Sequence, residues 1–316
     1  MNKRTLIIDC DTGTDDAIAL IAALYNEEIE IAAITSVNGN VPLEYTAANN
    51  LNLVEYLGFI RMKVARGASI AFYQRDNIYG DTQGATGLGN VKLPTATVMK
   101  YTEDNAVDII YKEAVRLHGE LELVVTGPMT NVAIAISMYP ELKTLIKHIW
   151  FMGGAIRGGN TTRTAEFNIW VDPVAAKMVL ASGVPMTMVG LDVTELAIMT
   201  KEDADKIRSI GTKASTLVAD ILEFMFERFA KGGEDAMMHD ALTLGAALCP
   251  ECVKCEKYFV DVECGGEYTA GHTMVDIKSR SGKKPNVDVA VKLDLQMFKD
   301  WLISSIKSSR DDTRRG

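Results

Sequence analysis

No stretch of this 316-residue sequence approaches the roughly 20 consecutive apolar residues that a membrane span requires. Met1-Asn2-Lys3-Arg4 runs straight into a strand-like segment of about six residues, too short for the apolar core of a secretory signal. A cytoplasmic protein with no membrane partner is expected. Basic runs are also missing: lysines and arginines stand at most two together, as at Lys3-Arg4, Lys283-Lys284 and Arg314-Arg315, and the formal net charge is −9. That balance opposes a polyanionic partner such as nucleic acid and favours a small neutral or cationic ligand. Cysteine is sparse and odd in number, five in all, which speaks against a disulfide framework in a reducing compartment. Internal repeats, low-complexity tracts and linkers are absent as well. With 47% hydrophobic residues the chain can bury a large core, so one domain over residues 1–316 is the simplest division, with residues 310–316 expected to be a disordered tail.

What the sequence does have is alternation. Strand-like Thr5–Asp9, helix-like Asp16–Tyr25, strand-like Ile29–Val37, helix-like Leu43–Leu57 and strand-like Met62–Arg66 follow one another, which is βαβ syntax. The pattern resumes with a helix face at Val107, Ile110, Tyr111, Ala114 and Val115, a strand over Leu121–Thr126, a helix over Thr130–Ile146 and a strand over His148–Met152. Asp172-Pro173 then opens a helix, Pro185–Leu191 reads as a strand, and Ala214, Leu217, Val218, Ile221 and Met225 stripe a long helix. Beyond Lys254 the strands alternate polar and apolar residues, at Val260–Cys264 and Val287–Leu293, before a last helix over Gln296–Lys307. The expected fold is therefore α/β: an open, mainly parallel, doubly wound sheet flanked by helices, with a small antiparallel β appendage near the C-terminus.

Chemistry concentrates at the end of the first strand, in Asp9-Cys10-Asp11-Thr12-Gly13-Thr14-Asp15-Asp16. Carboxylates at the tip of a buried element are costly to desolvate unless a cation sits among them, and oxygen-only ligation suits a hard ion such as Ca²⁺ or Mg²⁺. Capping of the following helix by Asp15 or Asp16 would explain one of the four aspartates, not the set. Gly84-Ala85-Thr86-Gly87-Leu88-Gly89 follows no strand and opens no helix, so it fails as a dinucleotide or phosphate loop. Cys249, Cys252, Cys255 and Cys264 carry a spacing that superficially suggests a metal, but Cys249 ends an apolar helix at a proline and the next two enter a strand. Two long connections, 67–100 and 153–171, are where a ligand site is expected, because long loops at the carboxyl ends of an open sheet tend to be functional. His239-Asp240 stands where a later helix begins, and taken alone is more often a cap than a catalytic pair.

With these segments in place the sequence resembles the nucleoside hydrolases, specifically the inosine-uridine preferring nucleoside N-ribohydrolases, from about Thr5 to about Leu295. Asp9–Asp16 is similar to that family's N-terminal signature, with Thr12 where proline is common; Ala165-Glu166-Phe167-Asn168 and His239-Asp240 match its later motifs in order. The resemblance implies Ca²⁺ held by Asp11, Asp16, Asp240 and the main-chain carbonyl of Thr126. It implies that Asp15, Asn40, Asn160, Glu166 and Asn168 hold the ribose hydroxyls, with Phe167 and Asp240 also at the substrate. Asp11 would be the base for the attacking water, and His239 would lie by the departing nucleobase. A homodimer or homotetramer is implied as well. One position departs from the pattern. A histidine commonly precedes the Gly-x-x-Gly stretch of the first long loop, and Gln83 stands there, with Tyr79-Gly80-Asp81 just upstream as a second alignment. Glutamine can hydrogen-bond a nucleobase but cannot protonate it.

Two other readings share part of this pattern. A haloacid-dehalogenase-type Mg²⁺ phosphatase also begins with a strand ending in Asp-x-Asp, yet it would leave Glu166, Asn168 and His239-Asp240 without a task. A catalytically silent ribose or Ca²⁺ binding protein on the same fold would keep the ligands without turnover.

Overall fold

The computed structural model describes residues 3–73, 79, 82–230 and 235–310. β1 (Arg4–Cys10), α1 (Thr14–Leu24), β2 (Ile29–Ser36), α2 (Leu43–Tyr56) and β3 (Val64–Arg66) follow one another as the alternation predicts. α3 (Ala106–Leu117), β4 (Leu121–Val125), α4 (Thr130–Met138), α5 (Leu142–Leu145), β5 (Ile146–Met152), α6 (Phe167–Val171), α7 (Pro173–Leu180) and β6 (Met186–Val189) continue the series. The remainder comprises α8 (Leu191–Thr194), β7 (Ile198–Met199), α9 (Lys201–Arg208), α10 (Lys213–Ala230), β8 (Ala236–Met237), α11 (His239–Leu248), β9 (Val253–Tyr258), β10 (Val260–Val262), β11 (Thr273–Val275), β12 (Val287–Leu293) and α12 (Leu295–Lys307).

Eight strands form one sheet in the order β3-β2-β1-β4-β5-β6-β12-β9. All neighbours are parallel except β9, which runs antiparallel to β12. The chain builds outward from β1 on one side and from β4 on the other, so the winding reverses between these two central strands. Connections leaving β1 and β4 diverge there and open a crevice at the carboxyl ends. Both faces of the sheet are covered, which accounts for continuous apolar strands such as Leu6-Ile7-Ile8. Leu6 and Ile8 enter a core shared with α1, α10, α11 and α12, and Ile7 enters a second core shared with α3, α4 and α7. α1 is buried on every side, from Thr14 to Leu24, so nothing about its position can be adjusted without moving the sheet or three other helices.

Three expectations change. The helix over Thr130–Ile146 is two helices, because Pro140 has no N–H to donate and its ring obstructs a continuing turn; α4 ends at Met138 and α5 restarts at Leu142. Part of the supposed appendage belongs to the main sheet. β12 buries Val287, Val289 and Ala290 beside β6, and β9 closes the edge, leaving β10 and β11 as the separate antiparallel pair. Arg310, expected in a disordered tail, lies instead in a 3₁₀ turn, Ser308–Arg310, and its Nε donates to the Ile210 carbonyl at 2.7 Å. Residues 311–316 fall outside the described residues. Asp172 caps α7 as predicted, accepting from Ala175 N–H at 3.1 Å, and its other oxygen takes Phe72 N–H at 2.9 Å and Thr130 Oγ1 at 2.7 Å. Among the described residues no helix is long and apolar enough to cross a membrane.

Candidate active site

The β1–α1 turn assembles three carboxylates rather than four. Asp9 is fully buried beneath the crevice, where it accepts from Thr35 Oγ1 at 2.5 Å and Asn131 Nδ2 at 2.8 Å. Asp11 lies past the strand end and accepts the Asn40 N–H at 2.6 Å. Asp16 turns back to accept the Gly13 N–H at 2.9 Å and also takes the Thr126 hydroxyl at 2.7 Å, which ties α1 to the end of β4. Asp15 caps a helix, but not its own: it accepts the Asp240 N–H at 2.7 Å at the start of α11, with Ala241 and His239 N–H adding to it. Asp240 supplies the fourth carboxylate of the cluster and hydrogen-bonds Asp16. Two helix N-termini thus point at one acidic group of side chains, and their dipoles favour it.

Burial nevertheless wins over these donors. Asp15 is pushed up to about 7 and Asp9 to about 6, in each case chiefly by desolvation. Asp11 and Asp240 rise well above the ordinary carboxylate range for the same reason, and because the charges facing them are other carboxylates. Asp11 Oδ1 and Asp15 Oδ1, like Asp9 Oδ2 beneath them, are buried without a hydrogen-bond partner among the described residues. Buried carboxylate oxygens in that condition call for a cation. The donor set fits one: it is all oxygen, as a hard divalent ion requires. Among the described residues no trio of His, Cys, Asp or Glu groups is already assembled to hold a metal. The carboxylates are turned instead onto hydroxyl and amide donors, and the Thr126 carbonyl accepts Asn168 Nδ2 at 2.7 Å. All five cysteines are free thiols.

The other candidates lie around this cluster. Asn40 Nδ2 is 3.3 Å from both the Asp11 carbonyl and Asp16 Oδ2. Glu166 caps α6, accepting from Asn168 N–H at 2.9 Å, Ile169 N–H at 3.1 Å and Gly154 N–H at 3.0 Å. Even so, burial raises it to about 7, and its charge acts on Asp11. Asn168 is buried and bridges the ends of β4 and β5 through the Thr126 and Met152 carbonyls. Phe167 is half-buried beside it, and exposed Asn160 accepts the Phe167 N–H at 2.9 Å. Gln83 accepts from Thr14 N–H at 2.9 Å and Thr14 Oγ1 at 2.5 Å, so the first long loop is fastened to the N-terminus of α1. Among the described residues its oxygen is the atom engaged, which leaves its amide nitrogen for a ligand. Tyr79 reaches Asn38 through its hydroxyl, while Gly80 and Asp81 lie outside the described residues. The phosphatase reading needs Asp9 and Asp11 at one site, whereas Asp9 is turned onto Thr35 and Asn131.

His239 opens α11 next to Asp240, with Nδ1 2.8 Å from Thr194 Oγ1. Burial pushes its pKa down to about 4, so the imidazole is neutral at neutral pH. Thr194 is a partner that the sequence pattern did not reveal, being 45 positions away in an unremarkable helix-like stretch. Gly39 and Gly127 lie in strand-end segments, 38–40 and 126–128, where the sequence places a site but assigns the glycines no role. A Cβ on Gly39 would lie 2.0 Å from Asp11 Oδ2, and one on Gly127 would lie 2.9 Å from Asp11 Oδ1. Only glycine lets the ends of β2 and β4 close on Asp11.

The family described as inosine-uridine preferring nucleoside hydrolase matches residues 6–300. The chain belongs to this family. Its nucleoside hydrolase chemistry agrees with relatives that align over almost their whole length. The pyrimidine-specific ribonucleoside hydrolase RihA of Escherichia coli O81 (strain ED1a) is 39% identical over 307 residues, covering 96% of this chain and 98% of that one. The RihA of Salmonella paratyphi B (strain ATCC BAA-1250 / SPB7) is 40% identical over 305 residues with the same coverage. Among solved structures, the purine-preferring ribonucleoside hydrolase from Gardnerella vaginalis matches with a TM-score of 0.91 at 32% identity, covering 98% of this chain and 100% of that one. The nucleoside hydrolase is thus built on the expected α/β fold, and the chain is an N-ribohydrolase of nucleosides.

Proposed function

We propose that this nucleoside hydrolase cleaves the N-glycosidic bond of ribonucleosides at the Asp11 cluster in a Ca²⁺-dependent reaction, releasing ribose and free base. The observation that carries this reading is the buried Asp11 carboxylate. One of its oxygens is held by Asn40, the other has no described partner, and the charges of Asp16, Asp240 and Glu166 face it. Asp11, Asp16, Asp240 and the Thr126 carbonyl would hold the ion. When bound, such a cation eases deprotonation of water and anchors vicinal hydroxyls. Asp11 takes the proton of the attacking water. Cleavage builds oxocarbenium-like charge on the ribose, so fixed carboxylates stabilise the transition state more than the neutral substrate.

Asp15, Asn40, Asn160, Glu166 and Asn168 are assigned to the ribose hydroxyls, where mixed donors and acceptors suit a vicinal diol. Phe167 and Gln83 border the substrate, Gln83 offering an amide N–H to the base. Neutral His239 hydrogen-bonds the leaving base; a Thr194 hydroxyl donating to Nδ1 would leave Nε2–H as the donor. Pyrimidine ribonucleosides are the first substrates to try, because the relatives at 39–40% identity carry a pyrimidine-specific name. A soluble cytoplasmic homodimer or homotetramer completes the proposal.

The test is release of free base from uridine, cytidine, inosine, adenosine and guanosine, before and after stringent chelation. Activity lost on chelation and restored by Ca²⁺ is expected, with 2′-deoxyuridine at least about 10²-fold poorer than uridine in kcat/KM because buried partners go unpaired. Ribonucleoside binding without turnover would establish a silent binder instead.

A further inference from the structure

The β10–β11 pair has no place in the chemistry above, yet it is built against the loop that carries much of it. β10 is rooted in the second core through Val260 and Val262, and Lys177 of α7 holds it from outside, bonding Asp261 at 2.5 Å and the Val262 carbonyl at 3.2 Å. The far end reaches across to the 153–168 loop. Ala165 and His272 form an antiparallel bridge, and Thr164 Oγ1 donates to the Tyr268 carbonyl at 2.9 Å. His272 Nδ1 is 3.1 Å from the Thr164 carbonyl, and since a carbonyl only accepts, Nδ1 carries the hydrogen. Gly271, at φ +93°, sits so close that a Cβ would lie 2.8 Å from Trp170 Cα in α6 and 3.0 Å from Ala165 Cβ. Thr273 stands over Gly154, whose N–H binds Glu166.

We propose that the β10–β11 hairpin clamps the 153–168 loop, and that His272, acting through the Thr164 carbonyl, is a positioning residue for ribose recognition. The base of the loop is fixed elsewhere, by Ile156 N–H on Asp192 and by three N–H donors on Glu166. Its outer part is tied mainly to itself: Thr161 and Thr162 N–H groups fold back onto the Ala165 carbonyl, and Asn160 is joined to Phe167, so the geometry of Asn160 follows that of residues 164 and 165. Those two residues are the ones the hairpin grips. The inference rests on the assignment of Asn160, Glu166 and Asn168 to the ribose.

The experiment compares His272→Ala and His272→Asn in the full-length, Ca²⁺-supplemented protein. Asparagine can place an N–H close to where Nδ1 stands, so it is the conservative rescue. In His272→Ala the amides of Thr161 and Thr162 should exchange hydrogen faster. KM for a ribonucleoside should rise about tenfold with kcat changed less than about threefold, the loss expected when one fixed hydrogen bond no longer orients the binding groups. Discrimination against the 2′-deoxynucleoside should shrink, and His272→Asn should restore all three. A folded His272→Ala protein with unchanged exchange, or with loosened exchange but unaltered KM and discrimination, would overturn the clamp. Glu166→Gln separates the two claims. If it keeps full ribo over deoxyribo discrimination, the ribose assignment fails; if it loses discrimination while His272→Ala keeps it, the clamp alone fails.

Discussion

Asp11 and His239 show how one environment sets two residues in opposite directions. Burial lifts the Asp11 carboxyl and lowers the His239 imidazole, in both cases by disfavouring the charged form. In the proposed mechanism, replacing Asp11 by asparagine removes the base and a metal ligand together while preserving shape. Turnover should drop by more than about 10³-fold with the fold intact, as read by steady-state kinetics beside circular dichroism. Near-normal kcat in folded Asp11→Asn would refute its role. For His239 the measurement is a comparison of leaving groups. A nitrophenyl riboside departs as a stable anion, whereas uridine or inosine needs its base hydrogen-bonded or protonated. His239→Ala should therefore slow the natural nucleosides by about 10²-fold and the nitrophenyl riboside much less. Equal slowing of both would make His239 a support for Asp240.

Among the elements, the ends of β1, β2 and β4 matter through what they allow to approach. Gly39→Ala would put a methyl group 2.0 Å from Asp11 Oδ2, so the carboxylate must move. Displacement of a reacting group by about 1 Å is enough to reduce kcat/KM by roughly 10²-fold. That loss is expected together with a lower melting temperature, because Asp11 Cβ would also lie at 2.8 Å; wild-type kinetics would mean that the β2 end is not closed on Asp11 in solution. Element boundaries were legible where local chemistry dictates them. Asp172-Pro173 opens α7 because a capping carboxylate and a fixed proline φ suit a first turn. The break at Pro140 was equally local, but the apolar periodicity on both sides of it hid the interruption. The strand pairing of β12 was not legible. Alternating residues fit a detached hairpin as well as a sheet edge, and burial of Val287, Val289 and Ala290 beside β6 decides for the sheet.

For the whole molecule, the buried acids couple stability to pH. Asp9 stands at about 6, and Asp15 and Glu166 at about 7, all raised by burial above the unfolded-chain values near 4. Between about pH 4 and pH 7 the folded chain therefore holds protons that the unfolded chain has released. Their stabilisation is complete below the unfolded values and lost as the pH rises through the folded ones. With chelator present, these groups should lower the melting temperature between about pH 5 and pH 7.5, and Ca²⁺ should raise it more at the higher pH, where the carboxylates are ionised. Scanning calorimetry at both pH values with and without Ca²⁺ reads this directly. An equal Ca²⁺ effect at the two pH values would contradict a cation held by these acids.

The sequence by itself determined the α/β class, the order of the main strands and helices, and the acidic motif at the end of β1, because periodicity, caps and turns are short-range properties. It also carried the motifs of Glu166 and His239-Asp240, through residue types and their order. The tertiary structure decided which of these residues meet. Asp9 leaves the cluster because Thr35 and Asn131, from β2 and α4, enclose it beneath the sheet end. Asp240 joins it because α11 packs against α1 and places the Asp240 N–H on Asp15, 225 positions away. Thr194 beside His239, and the hairpin across Thr164 and Ala165, are likewise contacts between distant segments. Such contacts arise from burying helix and sheet faces against one another, and no local pattern encodes the partner that packing supplies.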